Sequence, residues 1–190
     1  MNNNKINKIT GTGILIAVVI VLQLIANYVS FGPVNITLSL VPVALGAIIF
    51  GPTSGLILGL VNGIIVILAP STQALFFAEY PFQTIIVCLL KTGLAGLAAG
   101  FIYRLLKNKN FILSIILASL SIPLINTGLF ACGMLTIFRP LLEKLANGEN
   151  IAGYLFLTFI GFNFLIEFVV NSALTPAIIT LTKLRSKINN

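Results

Sequence analysis

The sequence predicts an all-α integral membrane protein, and three observations carry that reading. Of the 190 residues, 58% are hydrophobic and only 8% charged, where a soluble domain carries about 25% charged residues. The apolar residues run in segments long enough for bilayer-crossing helices, which need about 20 residues each. The net charge of +7 collects at the ends of these segments, where it reads as topological and lipid-facing and not as a nucleic-acid surface. The size suits one membrane domain, 1–190, of six spans at about 9–29, 37–50, 53–69, 82–106, 111–138 and 153–181.

The start, MNNNKINK, superficially resembles a signal peptide. The apolar run from Ile9 to Val29 is too long for an h-region, and no A-x-A site follows it, so a retained first span is expected. Gly13 and Ala17 form a small-xxx-small pair there. It serves either packing within the bundle or docking to another membrane protein. A turn-rich loop, Ser30-Phe31-Gly32-Pro33-Val34-Asn35, follows.

The charge-free stretch Ile36 to Pro70 is too long for one span and is interrupted at Gly51-Pro52, a turn and helix-restart signal. It reads as two short helices folded back on each other. Span two contains Pro42, which frees a backbone carbonyl and suggests a cavity beside a broken helix. In span three, Gly55, Gly59 and Gly63 form one smooth packing face that another backbone can approach closely. Its Asn62 reads as an interhelical hydrogen bond. The segment 70–81, PSTQALFFAEYP, reads as a loop. Its Phe76, Phe77 and Tyr80 belong to the interfacial belt or, with Gln73 and Glu79, to a binding lid.

Span four carries Lys91, is lined with Gly93, Gly96 and Gly100, and ends at Arg104, Lys107 and Lys109. Pro123 interrupts span five, with Asn126 and Thr127 just beyond. A hydrophilic loop, 139–152, carries Arg139, Glu143, Lys144 and Glu149. Span six places Asn163, Glu167 and Asn171 at i, i+4 and i+8, one polar stripe on one face, and Pro176 breaks it near its end. Counting Lys and Arg puts both termini on the cytoplasmic side and the loops at 30–36, 70–81 and 139–152 outside.

Lys91 and Glu167 are ionisable groups within spans, so each should face the bundle interior. They either pair with each other or form a polar pocket. In the pocket reading, Lys91 neutralises an anionic substrate group while Asn126, Asn163 and Asn171 hydrogen-bond amides or hydroxyls. Arg139 is a second candidate for a carboxylate. Few aromatics lie deep in the spans and there is no Trp, which disfavours a large stacked ring. With no His and no Asp, a Ser-His-Asp triad and a His-ligated metal are excluded. No phosphate loop is present. Cys88 and Cys132 read as core residues. No enzyme activity, metal or cofactor is expected.

The pattern ITLSLVPVALGAIIFGPTSGLILGLVNG resembles the substrate-binding S component of energy-coupling factor (ECF) vitamin transporters, a likeness that covers nearly the whole chain. It implies a six-helix bundle with both termini cytoplasmic, in the bacterial plasma membrane. Gly13 and Ala17 match the family's first-helix motif, commonly Ala-x-x-x-Ala, with Gly in the first place. That motif docks on a transmembrane T component driven by two cytoplasmic ABC ATPases. The stretch VNITLSLVPVALGAIIFGP is most similar to members assigned to pantothenate. The substrate-binding set then expected is Gln73, Glu79, Tyr80, Lys91, Asn126, Arg139, Asn163 and Glu167. Two alternatives stay open. One is an S component for another vitamin, such as riboflavin or folate. The other is a stand-alone secondary transporter with Glu167 as proton carrier.

Overall fold

A computed structural model describes residues 3–27 and 37–188. The expected loop at 30–36 lies outside the described residues, which are mostly helical. The elements are α1 (Asn3–Ala26), α2 (Leu40–Phe50), α3 (Pro52–Ile67), α4 (Pro70–Thr72), a π-helical turn (Gln73–Phe77), α5 (Pro81–Leu106), α6 (Phe111–Thr136), α7 (Arg139–Ala146), α8 (Ile151–Tyr154), a π-helical segment (Leu155–Gly161) and α9 (Phe162–Ile188). Among the described residues, four helices are long and apolar enough to cross a membrane: Lys5–Ala26, Pro81–Leu106, Phe111–Thr136 and Ile151–Arg185. A fifth crossing results if Pro52–Ile67 and Pro70–Phe77, bent by 65°, act together.

Span two differs from expectation. Its helix starts at Leu40, so Pro42 falls in the first turn, where a missing N–H leaves no helical bond unmade. The helix is therefore unbroken, but it has only 11 residues, about 16 Å. Pro123 and Pro176 likewise sit inside continuous helices, which membrane bundles tolerate because neighbouring groups re-satisfy the freed backbone. Two expected loops are also largely helical. Segment 70–81 holds α4 and the π turn, and segment 139–152 holds α7, which lays Leu141, Leu142 and Ala146 against the bundle.

Gly51 joins α2 to α3 with φ 95°, a conformation that glycine adopts without Cβ strain. Pro52 then opens α3 with its ring at the first helical position. The turn delivers the glycine face of α3 against α5, the most extensive helix pair in the fold. A Cβ on Gly55 would overlap the Gly96 carbonyl, and one on Gly59 the Thr92 carbonyl. A Cβ on Gly63 would stand 2.8 Å from the Cys88 carbonyl oxygen. The three glycines thus form a close backbone-to-backbone seam against α5.

The core has two parts. Toward the chain ends, Val19, Leu40, Val43, Ala47, Leu58, Ala95, Ile115, Ile122 and Ile178 are buried together. Toward the opposite end, Phe76, Phe130, Met134, Phe138, Leu142 and Phe159 form an aromatic-rich cluster. Gly59→Ala should lower stability by about 1–3 kcal/mol, the range for overpacking. Gly13→Ala, whose Cβ meets nothing within 4 Å, should leave it unchanged. Thermal unfolding of the detergent-solubilised chain checks both.

Candidate functional site

The polar stripe of α9 faces inward. Asn163, Glu167 and Asn171 are all buried, and the stripe continues through Thr175 and Thr182. Glu167 is the centre of a small network. Its Oε1 accepts the Thr37 backbone N–H at 2.9 Å, and its Oε2 accepts the Asn126 amide at 3.4 Å. These donors compensate a carboxylate that would otherwise be costly among spans. Asn126 Oδ1 is buried without a hydrogen-bond partner among the described residues.

Lys91 projects from α5 toward the same region and is 6% exposed. It does not pair with Glu167: among the described residues the ion pairs are Arg139–Glu143 and Lys144–Glu79. Its ammonium instead lies 4.9 Å from the centre of the Phe130 ring. A buried cation held against an aromatic face, with no ion pair among the described residues, retains unused donor capacity.

Two voids flank this contact, each of about 20 Å³, room for about one water. The first is bounded by Gln23, Thr72, Phe76, Thr84, Lys91 and Phe130 among others. The second is bounded by Thr37, Lys91, Asn126, Phe159, Asn163 and Glu167, again with Phe130. Lys91 and Phe130 both border the two voids, so the cation–ring contact lies between them. Both π-helical pieces touch the site, through Phe76 and through Phe159 and Ile160; such irregular turns recur at functional positions.

Of the residues expected from sequence, Lys91, Asn126, Asn163 and Glu167 are brought together. Tyr80 packs edge-on to Phe138, ring centres 5.8 Å apart, at the rim of the aromatic cluster. Gln73 turns back to donate to the Ile67 carbonyl at 2.7 Å. Glu79 binds exposed Lys144 at 2.9 Å, and Arg139 binds Glu143 at 2.9 Å; neither acidic nor basic partner borders the two voids. The Glu79 carboxylate raises the Lys144 pKa above its usual value through a hydrogen bond.

Aromatics do gather at the end of α6: the ring centres of Phe130, Phe138 and Phe159 lie 5.2–6.4 Å from that of Phe76, where irregular turns bring distant segments together. Sequence reading also missed Gln23 and Thr37. Gln23 is a fully buried amide of α1, hydrogen-bonded with Ser39 at 2.8 Å. Ser39 also lies 2.6 Å from Asn62 Oδ1, the interhelical bond expected of Asn62. An isolated polar residue in an apolar span was the available signal for Gln23. Thr37 acts through its backbone and left no signal.

Gly13 and Ala17 are both exposed on α1, pointing away from the bundle. Lys8 and Thr12, by contrast, bond inward to Thr53 at 2.7 Å and Ser54 at 3.1 Å. Packing within the chain is thus not what this pair does.

Glu167→Ala should destabilise the chain by about 1–3 kcal/mol, because the Thr37 and Asn126 donors lose their buried acceptor. Glu79→Ala, which opens only an exposed ion pair, should stay within about 0.5 kcal/mol of the parent. Denaturant or thermal unfolding in detergent separates the two.

Comparison with known proteins adds the family. The family described as the ECF transporter, substrate-specific component, matches residues 7–179. Over its full length the chain is also similar to the pantothenic acid transporter PanT of Lactococcus lactis subsp. cremoris. The two are 29% identical over 204 residues, covering 98% of this chain and 99% of the relative. No solved structure matches the chain significantly. With buried polar residues gathered inside a bundle of membrane-capable helices, and a family match over nearly all of it, this chain belongs to the substrate-specific components of ECF transporters.

Proposed function

We propose that this chain binds pantothenate at the outer face of the membrane and delivers it inward, working with a T component and two cytoplasmic ABC ATPases. In this reading the chain is a six-span bundle with α2 as its short second span, and both termini are cytoplasmic. The observation that carries the reading is Lys91: a buried cation with no carboxylate partner among the described residues, facing a void that also holds Asn126, Asn163 and Glu167. Pantothenate offers one carboxylate, one amide and two hydroxyls. Lys91 takes the carboxylate. Glu167 and the unpartnered Asn126 Oδ1 accept from hydroxyl or amide donors. The full-length relative named for pantothenic acid supports the same substrate.

The voids are too small for this ligand as they stand. Phe130 lies between them, so a ligand carboxylate reaching Lys91 takes the place of the ring and merges the two spaces. Of the other expected site residues, Gln73, Glu79 and Tyr80 lie on the α4–α5 connection, where they serve as lid. Arg139 serves as an outer attraction point for the anion. The cluster of phenylalanines supports a second reading, in which the ligand is a ring-bearing vitamin such as riboflavin or folate stacked on Phe76 or Phe159.

Isothermal titration of the purified chain decides between them. Pantothenate should bind at micromolar concentration or below without ATP, and Lys91→Met should weaken it roughly ten- to hundredfold, the loss of a charge-assisted hydrogen bond. Binding of riboflavin or folate with none of pantothenate would transfer the assignment to the second reading. Binding of no B vitamin would sink both.

Docking is tested separately. The exposed Gly13–Ala17 face of α1 allows a partner helix close approach. Gly13→Leu and Ala17→Leu should each abolish co-purification with the T component and leave vitamin binding by the isolated chain intact. Unimpaired assembly of both variants would place the docking face elsewhere.

A further inference from the structure

The end of the bundle that carries the chain ends has two adjoining depressions outside the site already described. One is an apolar groove of about 430 Å³ between α1, α2 and α9, walled by Ile14, Leu15, Leu45, Leu181 and Leu184. The other, of about 290 Å³, lies beside the Gly51 turn and is bordered by Tyr103, Arg104, Lys107 and Arg185. Ile49, Phe50 and Arg185 belong to both walls. The Arg185 guanidinium sits 4.3 Å over the centre of the Phe50 ring, so the border between greasy and charged space is itself an ordered contact. Gly11 contributes by absence: a Cβ there would overlap the Phe50 ring, which instead lies against α1 and floors the groove.

No glutamate among the described residues approaches the three cations of the second depression. The chain has four acids, all Glu. Glu79 precedes the start of α5 while Arg104 closes it, a separation of about 38 Å along the helix axis. Glu167 lies about 27 Å before Arg185 along α9. Glu143 is paired with Arg139, and Glu149 borders a depression with that same Arg139. Three uncompensated cations at the end of membrane-capable helices, opening directly onto an apolar groove, match a molecule with an anionic head and an apolar tail.

We propose that this is a binding site for an anionic phospholipid. The phosphodiester sits among Arg104, Lys107 and Arg185, and one acyl chain lies in the groove between α1, α2 and α9. A free phosphate would meet the cations but leave the groove empty. A zwitterionic lipid would fill the groove but bring a cation of its own to the three already there. The groove and the cations together therefore select an anionic lipid.

The test is lipid retention by the full chain in detergent, counted by native mass spectrometry after incubation with equal phosphatidylglycerol and phosphatidylcholine. Phosphatidylglycerol should be retained in preference. Arg104→Gln and Arg185→Gln should each weaken its retention about fivefold, one surface charge's worth. Lys144→Gln, a cation at the other end, should change nothing. Arg104→Gln and Lys107→Gln alter exposed side chains and keep the test open if Arg185→Gln fails to fold. Dihexanoyl phosphatidylglycerol, too short to fill the groove, should bind more weakly. Equal retention of the two long-chain lipids, or undiminished retention in the arginine variants, would overturn the proposal. So would displacement of the lipid by millimolar inorganic phosphate, which would make the site one for a soluble anion.

Discussion

The seam between α3 and α5 is the constraint on which the rest of the bundle depends. Backbone meets backbone at Gly55–Gly96 and Gly59–Thr92, so neither helix can rotate about its axis without collision. Once Thr92 and Gly96 face α3, the next position round the helix is fixed as well, about 100° per residue. Lys91 then turns, together with Val87 and Thr84 at one and two turns' distance, toward α6 and the π-helical turn. Its burial is thus dictated by glycines that never touch it. The interior must accommodate a cation, and it does so with the face of Phe130 on one side and the Asn126–Glu167 network beyond.

Much of this is legible from residue pattern. The polar stripe of α9 follows from i, i+4, i+8 spacing, and the tight seam from three glycines at the same interval. The basic helix ends follow from charge alone. What pattern does not carry is long-range and mediated by backbone or ring. Thr37 reaches Glu167 through its N–H, a group every non-proline residue shares. The meeting of Phe76, Phe130, Phe138 and Phe159 depends on two π-helical turns, whose extra residue per turn shifts the register that a regular helix would impose. The start of α2 at Leu40 turned Pro42 from a breaker into an ordinary first-turn residue, a difference of a few positions that reverses its meaning. Nor could the sequence reveal that Lys144 and Glu143 hold Glu79 and Arg139 in exposed ion pairs.

The site's energetics rest on exchange. Lys91 against Phe130 gains about 2 kcal/mol from a desolvated cation–π contact and leaves its hydrogen-bond donors unused. In the pantothenate reading an entering carboxylate takes up those donors in charge-assisted hydrogen bonds, and that gain is available to move the ring and to order the segment above it. Glu167 differs: Thr37 and Asn126 hold one lone pair on each of its oxygens, which fixes the carboxylate and leaves it a second acceptor site on each oxygen for a donor.

The Gly51 turn has a consequence for how the chain enters the membrane. From Ile9 to Ala78 there is no Lys, Arg, Asp or Glu, so no charge marks which side any of the first turns should occupy. An 11-residue α2 is too short to be recognised alone as a span. In the six-span reading proposed above, it partitions as one hairpin with α3, closed by Gly51 and Pro52, and the nearest upstream charges that set its side are Lys5 and Lys8. In that reading an error there inverts the hairpin before α5, with its Arg104 and Lys107, is made.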